Sequence, residues 1–209
     1  MSHPARKSRH SYHHGDLRDA LVQAALAEAE QGGPEAISIK ALAKTLGVSQ
    51  PAPYRHFADR EALLVAVTAE AFRQFNAVLR QAVAAPSRRS KLSRLAQAAL
   101  VFGLERSGIY RLMFASQTMA CADEDSELHA AAHETFALLL DALDGPRDVL
   151  RERHALQIWA SLHGVVMLAQ QGLLTGKSIN VSREELVEDM VAQTLASLRN
   201  ASKDGAARE

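Results

Sequence analysis

Four groups of side chains in this sequence have types and spacings that can do chemistry. The run from Ser38 to Phe57, SIKALAKTLGVSQPAPYRHF, gathers hydroxyls, an amide, a phenol and an imidazole around one glycine and two prolines. Such groups hydrogen-bond to base edges and phosphate oxygens. The first 18 residues set Arg6, Lys7, Arg9 and Arg18 against Asp16 alone and hold four histidines, a local charge suited to a polyanion. His129 and His133 stand four apart with Glu134 beside them, a spacing that permits shared metal ligation. Trp159 and His163 share a helix face one turn apart, where an apolar ligand is oriented by a few polar groups.

Each group has a plainer reading. Residues 1–15 are expected to be a flexible basic arm whose Arg6, Lys7, Arg9, His13 and His14 would order along a minor groove or phosphates. Without DNA, the same stretch is a solubilising start. The His129–His133 pair lacks a third ligand and any His-Glu-x-x-His motif, so a solvated helix face is the simpler account and no metal is expected. Cys121 is the only cysteine and sits near Asp123, Glu124 and Asp125. Those carboxylates disfavour a reactive thiolate, and a lone thiol fits a reducing cytoplasm.

The elements that must position these groups are helical. Of 209 residues 47% are apolar, Ala and Leu dominate, and aromatics are scarce. No strand-period segment is evident, so the expected fold class is all-α: a three-helix helix-turn-helix head and a helical-bundle body. Apolar periodicity starts at Asp16 and stops at Gly32-Gly33-Pro34. Ser38 caps a short helix with Ile39, Leu42, Ala43 and Leu46 on one face, and Gly47 ends it. Gln50 to Phe57 reads as a second short helix with Gln50 as N-cap, which places Pro51 first and Pro53 third, where no intrahelical N–H is lost. Tyr54 and Phe57 anchor it.

Asp59 caps a long amphipathic helix over 59–84, and body helices are expected at about 88–106, 109–116, 125–143, 147–174 and 183–198. The organisation is then an arm at 1–15, a head at 16–58, a ligand-binding and dimerisation body at 59–200 and a flexible tail at 201–209. No apolar stretch is read as spanning a bilayer, and no apolar run follows the basic start as in a secretory signal, so a soluble cytoplasmic protein is expected.

A short apolar-faced helix, a glycine turn, Val48 to plug the crossing angle and a second helix with an outward tip make the layout of a helix-turn-helix, whose second helix enters the major groove. Leu42-Ala43, Leu46-Gly47-Val48-Ser49, Tyr54-Arg55-His56-Phe57 and Asp59-Arg60-Glu61-Ala62-Leu63-Leu64 resemble the N-terminal signature of the TetR family of bacterial repressors. The likeness covers about 16–64. Tyr12-His13-His14-Gly15-Asp16-Leu17-Arg18 and Trp159 with His163-Gly164 are similar to one subgroup; Pro51 and Pro53 depart from the commoner pattern.

The resemblance implies a homodimer on a palindromic duplex operator. Ser38 and Lys40 would meet the backbone or a groove edge, and Ser49, Gln50 and Ala52 would face bases. Tyr54 and His56 would hold phosphates, with Arg60 reaching another. The plainer roles are core packing for Tyr54, a solvated imidazole for His56 and capping alone for Gln50.

In the body Phe102, Tyr110, Met113, Phe114, Phe136, Trp159, His163 and Met167 are the candidate lining of a pocket for a mostly apolar small-molecule effector, the competing account being ordinary core. The last two long helices would build a four-helix dimer interface, since Leu156, Trp159, Leu162, Val165, Val166 and Leu173 spread around more of the helix than one core face needs. The expected mechanism is a repressor released when ligand displaces the 59–84 helix and shifts the spacing of the heads. The rival keeps the fold as a constitutive or activating DNA binder. No Gly-rich phosphate loop, nucleophile elbow or paired acidic site appears, so no enzyme activity and no cofactor are expected.

Overall fold

Helix starts are set by short polar side chains that accept a hydrogen bond from the amide three residues on. In the computed structural model, which describes residues 14–145, 148–174 and 180–206, Asp59 accepts from the Ala62 amide at 2.7 Å and Asp148 from Arg151 at 2.8 Å. Ser90 accepts from Ser93 at 3.1 Å, and Ser126 and Ser38 accept at longer range from His129 and Ala41. Ser182 and Glu185 form a reciprocal capping box, at 3.1 and 2.8 Å.

The described residues form nine α-helices: α1 His14–Gly32, α2 Ile39–Thr45, α3 Arg60–Ala84, α4 Lys91–Glu105, α5 Ser107–Met113, α6 Ser116–Cys121, α7 Glu127–Ala142, α8 Val149–Gln170 and α9 Arg183–Ala206. Among the described residues there is no strand, so the all-α class holds.

Several boundaries depart from expectation for identifiable reasons. α4, α7 and α8 begin two or three residues late because Ser90, Ser126 and Asp148 take the cap positions. α8 stops at Gln170 rather than Leu174. Gly172 turns left-handed (φ 72°), and the Leu173 amide reaches back to the Leu168 carbonyl at 2.9 Å. α9 continues to Ala206, into the segment expected to be a tail. The helix expected near 109–116 is α5, which ends at Met113, and a further short helix, α6, runs on to Cys121.

α1, α2 and the start of α3 enclose the head's core of Leu21, Val22, Ala25, Leu42, Ala43, Phe57 and Leu63, all buried. α3 then leaves the head and becomes the central helix of the body, packed along α4 and α7, while α8 and α9 pack on α4 and on each other. By length and apolarity α3 could cross a bilayer, contrary to the expectation that no stretch qualifies, but more than half of that stretch is buried in the fold. Its apolarity is that of a core helix. Val78 of the same helix faces solvent.

Head and body meet a second time. α5 lies against the end of α1 with no room to spare: a Cβ on Gly108 would stand 2.0 Å from the Ala29 carbonyl oxygen. Beside it Arg106 Nε donates to Glu30 Oε2 at 2.8 Å.

Candidate nucleic-acid interface and effector cavity

The turn after α2 is built by its backbone. Gly47 is left-handed (φ 66°); its amide donates to the Lys44 carbonyl at 3.1 Å, and the Val48 amide to Ala43 at 3.0 Å. This is a Schellman closure, which an L side chain at position 47 would strain.

The expected helix over 50–57 is not formed as such. Gln50 to Ala52 is a turn, followed by a single 3-10 turn, Pro53–Arg55. The prolines explain the difference. A proline ring crowds the carbonyl four residues back, here Ser49 for Pro53. The Ser49 carbonyl instead accepts from Ala52, three residues on, at 2.9 Å, and the Pro53 carbonyl accepts from both His56 and Phe57 at 2.9 and 3.0 Å. The turn therefore starts at Ser49, and Gln50 is not its cap. The Gln50 amide donates, at 3.4 Å, to the Lys40 carbonyl of α2.

Pro53 and Phe57 are the buried anchors. Tyr54, expected to share that task, is 50% exposed, which removes the core-packing account of its ring. Lys40, Ser49 and Gln50 are exposed beside it, and Ala52 and His56 are half-buried. Ser38 caps α2. Arg60 turns inward: Nε donates to the Ile37 carbonyl at 3.1 Å and Nη2 to Pro34 at 2.7 Å, so it closes the head where it was expected to reach phosphate. Two exposed cations were overlooked. Lys44 follows Lys40 by one helical turn, and Arg55 adjoins Tyr54. The i, i+4 lysine spacing was the available signal. Of the basic arm, positions 1–13 lie outside the described residues.

In the body a small cavity of about 30 Å3 lies between α3, α4, α5, α7 and α8. Of the eight candidate lining residues, Tyr110, Phe114, Trp159 and His163 are on its wall. Phe102 and Met113 are instead buried core, Phe102 tilted against Phe75 with ring centres 4.9 Å apart. Phe136 backs Trp159 at 5.4 Å, and Met167 is packed against the core. The wall also contains Phe75 and Leu79 of α3, Leu92, Leu95 and Ala96 of α4, and Thr135 of α7. These read in sequence as ordinary helical stripes, so only the packing distinguishes them.

Tyr110 Oη and His163 Nδ1 are 3.1 Å apart, and both rings pack on Phe114. Burial raises the phenol's pKa and lowers the imidazole's, so both are neutral near pH 7.

The His129 and His133 rings stand 6.2 Å apart. His129 Nδ1 donates to the Asp123 carbonyl at 2.7 Å, and Glu134 pairs with Arg80 and accepts from Asn76 on α3. Glu134 therefore serves the α3–α7 packing rather than a centre shared with the histidines.

A head whose polar tip follows a glycine-closed short helix, carried on a cavity-bearing helical body, defines a helix-turn-helix DNA-reading regulator. Residues 21–67 match the family model described as bacterial regulatory proteins, tetR family, and residues 92–194 match a tetracyclin repressor-like C-terminal domain. The chain belongs to the tetR family and is a DNA-binding transcriptional regulator.

It is 25% identical over 193 residues to an uncharacterized HTH-type transcriptional regulator of Mycobacterium tuberculosis, covering 90% of this chain and 84% of that one. A solved protein of unknown function from Rhodococcus sp. RHA1 superposes with TM-score 0.74 at 29% identity, covering 90% of this chain and 98% of that one. The TetR family regulator PfmR of Thermus thermophilus shares the fold, with TM-score 0.55, 18% identity and coverage of 86% and 97%.

Proposed function

We propose that the protein is a homodimeric repressor of a palindromic operator, released when a mostly apolar small molecule enters the body cavity. The observation that carries this reading is the shared ownership of α3. Phe75 and Leu79 form part of the cavity wall, and the same helix starts at Arg60, three residues after the buried anchor Phe57. The cavity has room for roughly two water molecules, so a larger guest must spread its walls. Spreading them displaces α3 and changes the distance between two heads that must meet the groove about 34–36 Å apart. A ligand acts only as far as it binds the spread state more tightly.

Dimerisation through α8 and α9 is supported by an outward apolar row on α8, where Val149, Leu156 and Ala160 are exposed on one side of the helix. At the head, Lys40, Lys44, Ser49, Gln50, Tyr54 and Arg55 are the exposed groups that would meet DNA, with Ala52 and His56 at their margin. The residue roles assign base contact to the Ser49–Ala52 tip and phosphate contact to the cations and Tyr54.

Selection from a random duplex pool with the purified protein supplies the operator. The release mechanism is then tested without knowing the ligand, by filling the cavity from within. Ala96→Trp, with Ala99→Leu as the milder form, is expected to weaken operator binding tenfold or more while the dimer and helix content are retained. Folded variants with unchanged operator affinity would overturn release through this cavity and favour constitutive DNA binding.

A further inference from the structure

The cavity's polar equipment is one-sided, and this selects among apolar guests. Tyr110 is almost wholly buried, and among the described residues its hydroxyl meets one partner, His163 Nδ1 at 3.1 Å. A phenol hydrogen in that position has only the ring nitrogen to donate to, since an unmet buried donor is costly. With Nδ1 accepting, the neutral imidazole must hold its proton on Nε2. Trp159 and His163 both line the cavity, and among the described residues neither His163 Nε2 nor Trp159 Nε1 donates within the fold or is a fully buried orphan.

The other polar wall residue, Thr135, donates to Asn76 Oδ1 at 2.6 Å. The Asn76 orientation is fixed because its Nδ2 faces two acceptors, the Ala131 carbonyl at 2.8 Å and Glu134 Oε2 at 3.1 Å. Thr135 therefore has no hydrogen left for a guest. The wall, among the described residues, includes no carboxylate, lysine or arginine.

We infer that the cavity recognises an uncharged, largely aromatic or aliphatic molecule through a hydrogen-bond acceptor such as a ketone, ester or ether oxygen, held by His163 Nε2–H and supported by Trp159 Nε1–H. Tyr110 is a positioning residue: it sets the tautomer and touches the acceptor only through His163. Burial holds both members of the pair neutral, which keeps the donor in place. A carboxylate guest would find no permanent countercharge and would have to draw a proton onto His163. The inference rests on the cavity being the effector site.

The test uses three molecules on one frame: 2-acetylnaphthalene, 2-ethylnaphthalene and 2-naphthoate. Dissociation constants are measured by fluorescence or calorimetry at pH 7.5 on the full-length dimer. The ketone is expected to bind at least tenfold more tightly than the other two. In His163→Phe that preference should vanish while the hydrocarbon still binds. In Tyr110→Phe it should fall several-fold, with the ring nitrogen-15 spectrum of His163 moving from a pure Nε2–H pattern towards mixed tautomers.

Equal binding of ketone and hydrocarbon, or tighter naphthoate binding with proton uptake, overturns the acceptor rule alone. An Nδ1–H pattern in the unliganded wild type overturns the tautomer argument. If none of the three probes binds, the cavity itself fails as a ligand site, and the acceptor rule falls with it.

Discussion

Head and body solve opposite problems. The head must hold polar side chains in water at fixed positions, so its rigidity comes from the backbone: a left-handed glycine, two prolines and the Ser38 cap. The body must keep space among apolar walls, so its specificity comes from which side chains happen to converge. Gly47 and Gly108 show the contrast within one residue type. A Cβ at Gly47 would meet nothing within 4 Å, and the glycine is needed for its φ. At Gly108 the conformation is ordinarily helical, and the glycine is needed because the Ala29 carbonyl occupies the space.

Four substitutions or titrations would break or sharpen this contrast. Leu156→Glu on the exposed row of α8 is expected to give a monomer by light scattering and to abolish operator binding, since a single head loses the second half-site. An operator-binding dimer would refute the assignment of that face. Gly108→Val forces a side chain onto backbone that cannot yield, so a loss of about 3 kcal/mol in chemical unfolding is expected, at the upper end for overpacking.

Gly47→Ala strains only the turn, by roughly 1–2 kcal/mol. Its operator affinity should fall while the cavity's affinity for an apolar probe stays unchanged. A loss in both sites would show that the two regions are less separable than their construction suggests. The smallest effect concerns pH. Burial lowers the His163 pKa below its unfolded value of 6.5. The contribution that this neutral imidazole makes to stability is therefore fully present above about pH 6.5 and is lost as pH falls through the depressed value. His163→Gln should flatten that part of the melting profile, and an unchanged slope would remove the imidazole from it.

The head was largely legible because its determinants are local. Gly47, Val48 and the Ser38 cap lie within eleven residues of one another, and each constrains its neighbours by bonds of three to five positions. The reading failed there where two local rules competed. Pro51 and Pro53 suit a helix start, yet the ring of Pro53 also crowds Ser49, and the second effect shortened the helix into a 3-10 turn. The inward bonds of Arg60 were not legible because its partners, the carbonyls of Ile37 and Pro34, lie more than twenty positions back.

In the body half of the candidate lining lies on the cavity wall. Trp159 and His163 were found by their shared face, and Tyr110 by its polar tip. Phe75, Leu79 and Thr135 belong to stripes that would look the same whether or not a cavity lay beneath them. α8 lacked any sign in its periodicity that Gly172 would end it four residues early.

The contact between Gly108 and the Ala29 carbonyl has a consequence for anyone recombining such regulators. α3 invites a cut near residue 59, with a foreign reading module stitched onto the native sensor. That seam would respect the covalent chain and ignore the other crossing, where α1 of one parent would be pressed against α5 of the other. Chimeras should therefore travel with a matched pair at positions 29 and 108, and with the neighbouring Glu30 and Arg106, or the transplanted module will sit at the wrong angle.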